Sequence, residues 1–319
     1  MPVRPLPHPL RGIVPPIVTP LCDQDQLDAK GLQRLIDRLV QGGVHALFAL
    51  GTTGEAPFLD HAMRHRFLEL VAEFNRGRLP ILVGITDTSF VEAIELAEQA
   101  YAAGACAVVA APPYYLPTSQ RELCQAMELL ADRVPLPLLL YNMPGCTKVN
   151  FCLESIERLA EHPNIVGLKD SSGDMNYFRQ VAERLRPLRE FTLLVGPEEL
   201  LVESLHAGGH GGVNGGANMF PELYVALYEA VNEDRCEQVA LLRRIVLQIS
   251  QSIYSVSSDP SRVVKGIKAG LRSLGVCDDF VAWPFEPFSR QQREGIAQHV
   301  ESVSKQLREL LPEAVSVTE

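Results

Sequence analysis

Residues 165–174 read IVGLKDSSGD, and the first six of them decide how the chain folds. The run from Ile165 to Leu168 is apolar without alternation, which is typical of a parallel strand covered on both faces. Lys169 follows this run directly, and a polar segment that contains a glycine comes next. The stretch therefore predicts a buried parallel strand that carries a lysine to the end where the chain turns.

Seven further apolar runs of this kind occur along the chain, and the segments between them carry apolar residues at three- and four-residue steps, as helices do. This alternation predicts an α/β fold, namely a (β/α)8 TIM barrel. A doubly wound open sheet is the alternative, but it normally has a glycine-rich phosphate-binding turn after the first strand, which is missing here. The eight predicted strands are 12–20, 45–51, 80–85, 107–112, 137–142, 165–170, 192–197 and 211–216.

The chain is helical in pattern from about residue 220 to about residue 310, which is too long for the last barrel helix alone. We predict three parts: an N-terminal arm (1–10), the barrel with the active site (11–232) and a C-terminal helical extension (233–319). Lys265 and Lys268 belong to this extension, and the pattern VVKGIKAG predicts a helix whose lysines have solvated ammonium groups.

Composition excludes several classes of protein. The chain has 319 residues, a formal net charge of −10 and no cluster of Lys and Arg, so we expect no nucleic-acid partner. Its seven cysteines form no CxxC pair, which favours reduced thiols over a disulfide framework or a zinc site. No signal peptide and no membrane-spanning stretch are recognisable, so the expected location is the cytoplasm, with no membrane partner.

Chemically active side chains follow the predicted strands, and in a barrel the carboxyl ends of the strands meet at one mouth. A neutral lysine there can attack a ketone and form a Schiff base, whose positive nitrogen withdraws electrons from the neighbouring carbon. Tyr141, on the strand before Lys169, is the candidate proton carrier. Gly51 and the threonines after it offer backbone N–H groups and hydroxyls to a carboxylate. The segments at the mouth are GTTGE (51–55), APPYYLP (111–117), YNMPG (141–145), LKD (168–170) and GPEE (196–199).

Five motifs of the chain, in their order and spacing, resemble the dihydrodipicolinate synthase / N-acetylneuraminate lyase family of class I pyruvate-dependent aldolases. The resemblance extends over roughly residues 10 to 300. It implies a barrel with a C-terminal helical extension, a homotetramer built as a dimer of dimers, pyruvate as substrate, no metal and no organic cofactor. The motifs are GTTGE, PPYY, YNMPG, VGLKDSSGD and GGHGGVNGGANMFP.

The resemblance implies a role for each matched residue. Lys169 is the Schiff-base lysine and Tyr141 the proton shuttle. Thr52 and Thr53 hold the pyruvate carboxylate and link Tyr141 into a proton relay, which Tyr115 completes across a subunit interface. Two further positions line the pyruvate pocket, and they are Gly196 and Val213.

The sequence departs from the synthase pattern after the fifth strand, in the segment that binds the second substrate of synthase members. Cys146 stands where synthase members have an arginine that binds the carboxylate of aspartate semialdehyde, and a thiol cannot make a bidentate pair with a carboxylate. Lys148 replaces a glycine of the pattern. Glu198 and Glu199 match positions that bind the sugar tail in sialic-acid-type members. Ser171 is expected either to bond a substrate hydroxyl or to cap the next helix.

The leading hypothesis is therefore a Schiff-base lyase that cleaves, forms or dehydrates a 2-keto-3-deoxy sugar acid or a related hydroxylated keto acid. The alternative is 4-hydroxy-tetrahydrodipicolinate synthase, which condenses pyruvate with aspartate semialdehyde. Two rivals come from other classes: a metal-dependent pyruvate aldolase with Glu198 and Glu199 as ligands, and a keto-acid-binding protein without turnover.

Overall fold

The computed structural model of the protein describes residues 6–312. Residues 1–5 of the predicted N-terminal arm and residues 313–319 of the predicted extension lie outside the described residues. The strands are β1 Gly12–Ile13, β2 Leu21–Asp23, β3 Gln26–Leu27, β4 Leu47–Ala49, β5 Ile81–Gly84, β6 Ala107–Ala110, β7 Leu138–Asn142, β8 Ile165–Asp170, β9 Thr192–Val195 and β10 Gly211–Gly212. The helices are α1 Ala29–Gln41, α2 His61–Asn75, α3 Phe90–Ala102, α4 Gln120–Arg133, α5 Pro144–Thr147, α6 Leu153–Ala160, α7 Met175–Leu185, α8 Leu201–His206, α9 Pro221–Asn232, α10 Cys236–Ser252, α11 Arg262–Ser273 and α12 Arg290–Leu310.

Eight of the strands form one parallel sheet, in the order β1-β10-β9-β8-β7-β6-β5-β4. Each lies inside one of the eight apolar runs, so the prediction of an α/β fold with eight parallel strands is confirmed. The strands β2 and β3, which form a separate antiparallel pair, were not predicted. These two strands are short and largely exposed, so they carry no buried apolar run.

The two end strands of the sheet are bridged, so the sheet curls round toward itself. Residues that follow β1 bond to β4: the Phe48 N–H donates to the Pro15 carbonyl (3.0 Å), and the Ile17 N–H donates to the Phe48 carbonyl (2.9 Å). Pro16 and Phe48 accordingly form a parallel bridge. This contact brings the end of β4, and the GTTGE segment after it, next to the first strand.

The curled sheet separates two apolar clusters. The larger lies between the strands and the surrounding helices. The smaller lies on the concave face and contains Phe48, Val109, Leu139 and Tyr141, with Leu10 from the chain before β1. Because side chains alternate along a strand, every second residue of each strand enters the inner cluster. Tyr141 and Lys169 are direct partners across β7 and β8, so Lys169 shares this inner face.

The polar segment after Lys169 ends β8 and begins α7. Gly173 has a φ of 76°, the left-handed region that favours glycine, and it turns the chain. Asp174 then caps α7, with its carboxylate accepting the N–H groups of Asn176 (2.8 Å) and Tyr177 (3.1 Å). The cap is therefore Asp174, and the expectation that Ser171 caps this helix is wrong.

Three helices, α10, α11 and α12, follow α9 within residues 6–312. They pack on one another and on the segments after β9 and β10. The prediction that Lys265 and Lys268 have solvated ammonium groups is wrong, because both side chains are buried and paired with carboxylates. In the part of the chain that the structure describes, no helix has both the length and the apolar character needed to cross a bilayer.

Candidate active site

Lys169 lies near the carboxyl end of β8, at the mouth of the curled sheet, and only 5% of it is exposed. Its Nζ is 3.8 Å from the centroid of the Tyr141 ring and 5.4 Å from that of the Phe48 ring. The amine is thus enclosed by two aromatic faces. Such faces favour a positive charge on nitrogen, whether it is an ammonium or an iminium.

Tyr141 connects the lysine to the GTTGE segment. Its hydroxyl lies 3.2 Å from Thr52 Oγ1, and either oxygen can donate the hydrogen bond. The Tyr141 side chain is buried, whereas Thr52 is exposed at the mouth. A proton can therefore pass between the buried lysine end of the site and the solvent side through two adjoining hydroxyls.

The GTTGE segment is a tight turn whose approach to β5 depends on glycine. A Cβ on Gly84 would lie 2.2 Å from the Leu50 carbonyl oxygen, and a Cβ on Gly51 would lie 2.8 Å from the Phe48 ring. Leu50 itself has a left-handed backbone (φ 55°). Close backbone packing at these positions places the Gly51 backbone and the hydroxyls that follow it at the mouth, while Thr53 is half-buried beside them.

A cavity of about 110 Å³ opens between this turn and Tyr141. Its walls are mainly apolar. Tyr114 and Met143 of the predicted mouth segments line it, together with Phe48 and Thr86, which the sequence did not single out. Cys146 lies on the rim. Among the described residues that line this cavity, none carries a guanidinium group. A small keto acid fits the volume, and the cavity has no bidentate partner for a second carboxylate.

The ends of β8, β9 and β10 complete the mouth. The Gly196 N–H donates to the Asp170 carbonyl (2.7 Å), and a Cβ on Gly196 would lie 1.9 Å from Ser171 Oγ. Val213 is buried in the inner cluster with Tyr141. The structure thus brings Ser171, Gly196 and Val213 close to the strand end that carries Lys169.

A polar pair outside the inner cluster fixes the register of β7 against β8. The Asn142 amide donates to Asp170 Oδ1 (2.8 Å), and the Ser172 hydroxyl donates to Asp170 Oδ2 (2.9 Å). Burial raises the pKa of the Asp170 carboxyl, and these two donors oppose the rise. Because Asn142 follows Tyr141 and Asp170 follows Lys169, the pair holds the two reactive side chains opposite each other.

The structure does not bring Glu198 and Glu199 into the cavity. Glu198 is buried against α9: it accepts the Tyr224 hydroxyl at Oε1 and the Gly216 N–H (2.8 Å) at Oε2. Burial raises the pKa of its carboxyl to about 7. Glu199 accepts the Ser250 hydroxyl of α10. Both carboxylates accept hydrogen bonds from protein donors, Glu198 from Tyr224 of α9 and Glu199 from Ser250 of α10, contrary to the expectation that they bind a sugar tail.

Of the two tyrosines in PPYY, the structure places the first at the cavity. Tyr114 lines it, and burial raises the pKa of the Tyr114 phenol. Tyr115 has a left-handed backbone (φ 78°) and is 91% exposed, so within this chain it makes no relay with Tyr141. The alternation of the strand could have indicated Phe48 and Val109, whereas the choice between the two tyrosines depends on how the loop turns after β6.

Lys148 follows the rim residue Cys146 by two positions and does not line the cavity. It has a left-handed backbone (φ 60°), and its Nζ donates to the Gly145 carbonyl (2.7 Å). Its ammonium group is therefore engaged by its own turn and does not replace the missing arginine. In residues 6–312, no group of three or more His, Cys, Asp or Glu side chains is arranged to hold a metal ion.

Comparison with known proteins gives consistent matches along most of the chain. The sequence model described as "Dihydrodipicolinate synthetase family" matches residues 9–303. A 4-hydroxy-tetrahydrodipicolinate synthase of Phenylobacterium zucineum is 32% identical over 284 residues, which cover 89% of this chain and 94% of that protein.

Solved structures agree with the sequence matches. A dihydrodipicolinate synthase from Bacteroides thetaiotaomicron has a TM-score of 0.90 and 50% identity, covering 95% of this chain and 100% of that one. YagE, a prophage protein of E. coli K12 in the dihydrodipicolinic acid synthase family, was solved in complex with pyruvate. It has a TM-score of 0.87 and 30% identity, covering 92% of this chain and 98% of its own.

Proposed function

This chain belongs to the dihydrodipicolinate synthetase family, whose members are class I, Schiff-base lyases that act on pyruvate, and we propose that Lys169 is its Schiff-base residue. One observation carries the proposal: the buried Nζ of Lys169 lies against the Tyr141 ring, and the Tyr141 hydroxyl in turn adjoins Thr52. The nucleophile therefore adjoins a proton carrier, and the proton carrier adjoins a hydroxyl that is exposed at the mouth.

The proposed reaction begins when neutral Lys169 attacks the ketone carbon of pyruvate. Tyr141 delivers a proton to the departing oxygen, water leaves, and the positive iminium nitrogen remains between the Tyr141 and Phe48 rings. The electron-poor iminium then releases a proton from the methyl carbon to Tyr141, which gives an enamine. That carbon attacks the carbonyl of an aldehyde, and the steps run in reverse for cleavage.

The pyruvate carboxylate is placed by the turn after β4. We assign it to the backbone N–H groups beside Gly51 and to the hydroxyls of Thr52 and Thr53, because these donors stand at the mouth and carry no competing negative charge. In this proposal Gly196, Val213 and Ser171 lie on the Lys169 side of Tyr141, next to the cavity and not in its lining. The small cavity of about 110 Å³ is suited to a three-carbon acid rather than a large ligand.

For the second substrate, aspartate semialdehyde is the first candidate, because relatives over most of the chain are named 4-hydroxy-tetrahydrodipicolinate synthase. These names thus favour the synthase reaction, which was the alternative predicted from the sequence. One structural observation favours the other, a hydroxylated keto acid: Cys146 is exposed on the rim, and no described lining residue offers a guanidinium to a second carboxylate.

The Schiff base is tested by reduction with borohydride in the presence of pyruvate, followed by peptide mass mapping. A pyruvyl adduct on Lys169 is expected. Lys148→Ala is the matched control, since this rim lysine is engaged by Gly145 and its removal leaves trapping unchanged. An adduct on Lys148, or on no lysine, contradicts the assignment.

The second substrate is tested by comparing kcat/KM for pyruvate with aspartate semialdehyde and with a panel of hydroxylated aldehydes. A preference of about tenfold or more for aspartate semialdehyde, which is about 1.4 kcal/mol, supports the synthase reaction. The opposite preference assigns the chain to hydroxylated keto acids. Cys146→Arg then separates the two further, because a guanidinium at the rim improves only the substrate with a second carboxylate.

We also propose the finer architecture expected from the sequence. The bridge between residues 15–17 and Phe48 supports a closed (β/α)8 barrel within 11–232, followed by the helical extension from 233. A homotetramer in the cytoplasm accounts for Tyr115 and Leu116, two adjacent apolar side chains that are 91% and 71% exposed. Light scattering after gel filtration measures the number of subunits, and a monomer contradicts this part of the proposal.

A further inference from the structure

A buried ion pair joins the GTTGE turn to the C-terminal helices. Glu55, the last residue of the turn, is 1% exposed, and Lys268 of α11 is 0% exposed; the Lys268 ammonium pairs with Glu55 Oε2. The other carboxylate oxygen accepts the Ala282 N–H (2.8 Å), and the ammonium also donates to the Phe280 carbonyl (2.8 Å). The charges are therefore paired and bonded further, as buried charges must be.

The turn that this pair holds is conformationally strained. Leu50 and Glu55, which bound it, are both non-glycine residues in the left-handed region (φ 55° and 57°). Inside it, the Gly54 N–H donates to the Gly51 carbonyl and the Glu55 N–H to the Thr52 carbonyl, both at 3.0 Å. Strained backbone of this kind persists only where the surrounding structure holds it in place.

Two side-chain contacts from elsewhere in the chain hold the turn. The Thr19 hydroxyl donates to the Gly54 carbonyl (2.7 Å), and Lys268 pairs with Glu55. Thr52 itself is exposed and bonds to Tyr141 at 3.2 Å. The direction of its hydroxyl therefore depends on where the backbone of the turn is held.

We propose that Lys268 is a positioning residue: through its ion pair with Glu55 it fixes the turn so that the Thr52 hydroxyl meets the Tyr141 hydroxyl. This inference rests on the proposed function, because it assigns to the C-terminal extension a part in proton transfer at the Schiff base. Lys169 is held separately by β8, so imine formation does not depend on Lys268.

The test uses the full-length protein and a matched control on the same helix. Lys265, three residues earlier on α11, is also buried (7% exposed) and also pairs with a carboxylate, Asp259 (2.7 Å). Its partner lies before α11 and not in the turn. Lys268→Met and Lys265→Met thus remove the same chemical group from neighbouring buried sites, and only the first is connected to Thr52.

We expect Lys268→Met to lower kcat at least tenfold, with a pyruvyl adduct still trapped on Lys169, and Lys265→Met to stay within about twofold of the parent. The decisive readout is a double-mutant cycle with Thr52→Val. If Lys268 acts through the Thr52 hydroxyl, Lys268→Met causes little further loss once that hydroxyl is absent. A merely structural role makes the two losses multiply.

A second variant covers the case in which Lys268→Met fails to fold because Glu55 is left unpaired. In Glu55→Gln/Lys268→Met both charges of this buried pair are removed, and the glutamine oxygen can still accept the Ala282 N–H. The same loss of kcat and the same cycle are expected in this background. A kcat within twofold of the parent, or losses that multiply with Thr52→Val, overturns the inference. Failure of the proposed function shows differently, as absence of any adduct on Lys169 in the parent protein.

Discussion

Tyr141→Phe is the most direct perturbation of the proposed mechanism, because it removes a single oxygen and leaves the ring. The lost atom is the hydroxyl 3.2 Å from Thr52 Oγ1. The phenyl ring still fills the buried position in the inner cluster and still lies against Lys169 Nζ, which is 3.8 Å from the ring centroid. The variant therefore separates proton transfer from packing and from the environment of the amine.

The expected loss can be compared with the expected change in stability. General acid–base catalysis contributes about 10²–10⁴-fold, so kcat falls by about a hundredfold or more, which is at least about 2.7 kcal/mol of barrier. The hydrogen bond that is lost joins Tyr141 to an exposed partner and contributes about 1 kcal/mol to folding. The effect on turnover thus exceeds the effect on the free energy of unfolding, and KM for pyruvate stays nearly unchanged.

Three measurements on the same preparation check this prediction. Steady-state kinetics give kcat and KM, borohydride reduction with intact-mass analysis gives the fraction of trapped imine, and urea unfolding gives the stability. Tyr177→Phe is the matched control: its buried hydroxyl has no partner among residues 6–312, and it does not line the cavity. We expect the control to keep full turnover and Tyr141→Phe to keep full trapping at saturating pyruvate.

Either of two results contradicts the assignment of Tyr141 as the proton shuttle. If Tyr141→Phe folds normally and turns over within about fivefold of the parent, another group carries the proton. If no adduct on Lys169 is trapped even after prolonged incubation with saturating pyruvate, Tyr141 is needed to hold the imine and not only to move protons, and its assignment as a proton shuttle is wrong.

Three further outcomes are expected. Lys169→Ala abolishes both borohydride trapping and turnover, and retained turnover excludes the Schiff base. Burial raises the pKa of Glu198 from 4.5 to about 7, so the native state binds this proton more tightly than the unfolded chain does. The protonated carboxyl therefore stabilises the fold fully below about pH 4.5, and about 3 kcal/mol of this stability is lost as the pH rises to about 7. Glu198→Gln removes this loss, so urea unfolding shows a parent-to-variant difference between pH 5 and pH 8, whereas a difference independent of pH contradicts the assignment. Gly84→Ala pushes a Cβ against the Leu50 carbonyl oxygen and lowers both the melting temperature and kcat. The control is Gly295→Ala on α12, where an added Cβ meets no atom within 4 Å, and it lowers neither. Equal effects of the two changes contradict the steric explanation.

Several features of the protein could be read from local sequence. The eight parallel strands were recognisable because a strand buried on both faces must be apolar along its whole length. The end of β8, one residue after Lys169, was recognisable because charged residues and a glycine-containing turn follow the apolar run. The gathering of GTTGE, Tyr141, Lys169 and Gly196 at one mouth followed from the rule that parallel strands present their carboxyl ends at the same edge.

Other features were hidden because they depend on which distant residue a side chain meets. Glu198 and Glu199 are carboxylates of the kind that bind a polyol, yet they accept hydrogen bonds from Tyr224 of α9 and Ser250 of α10. From the sequence, Lys268 was predicted to be a solvated lysine on a helix, but its ammonium group is buried and paired with Glu55. Tyr114 rather than Tyr115 lines the cavity, because the loop after β6 turns through a left-handed residue.

The sequence by itself determined the strand pattern, the family and the residues at the strand ends, since each of these depends on the order of apolar and polar residues within short windows. Only the tertiary structure decided which carboxylates face the cavity, which lysines are buried and what holds the strained turn before α2. The physical reason is that a charged side chain is buried only where a partner satisfies it. For Lys268 that partner is Glu55, which lies far along the chain and comes near only when the sheet has curled.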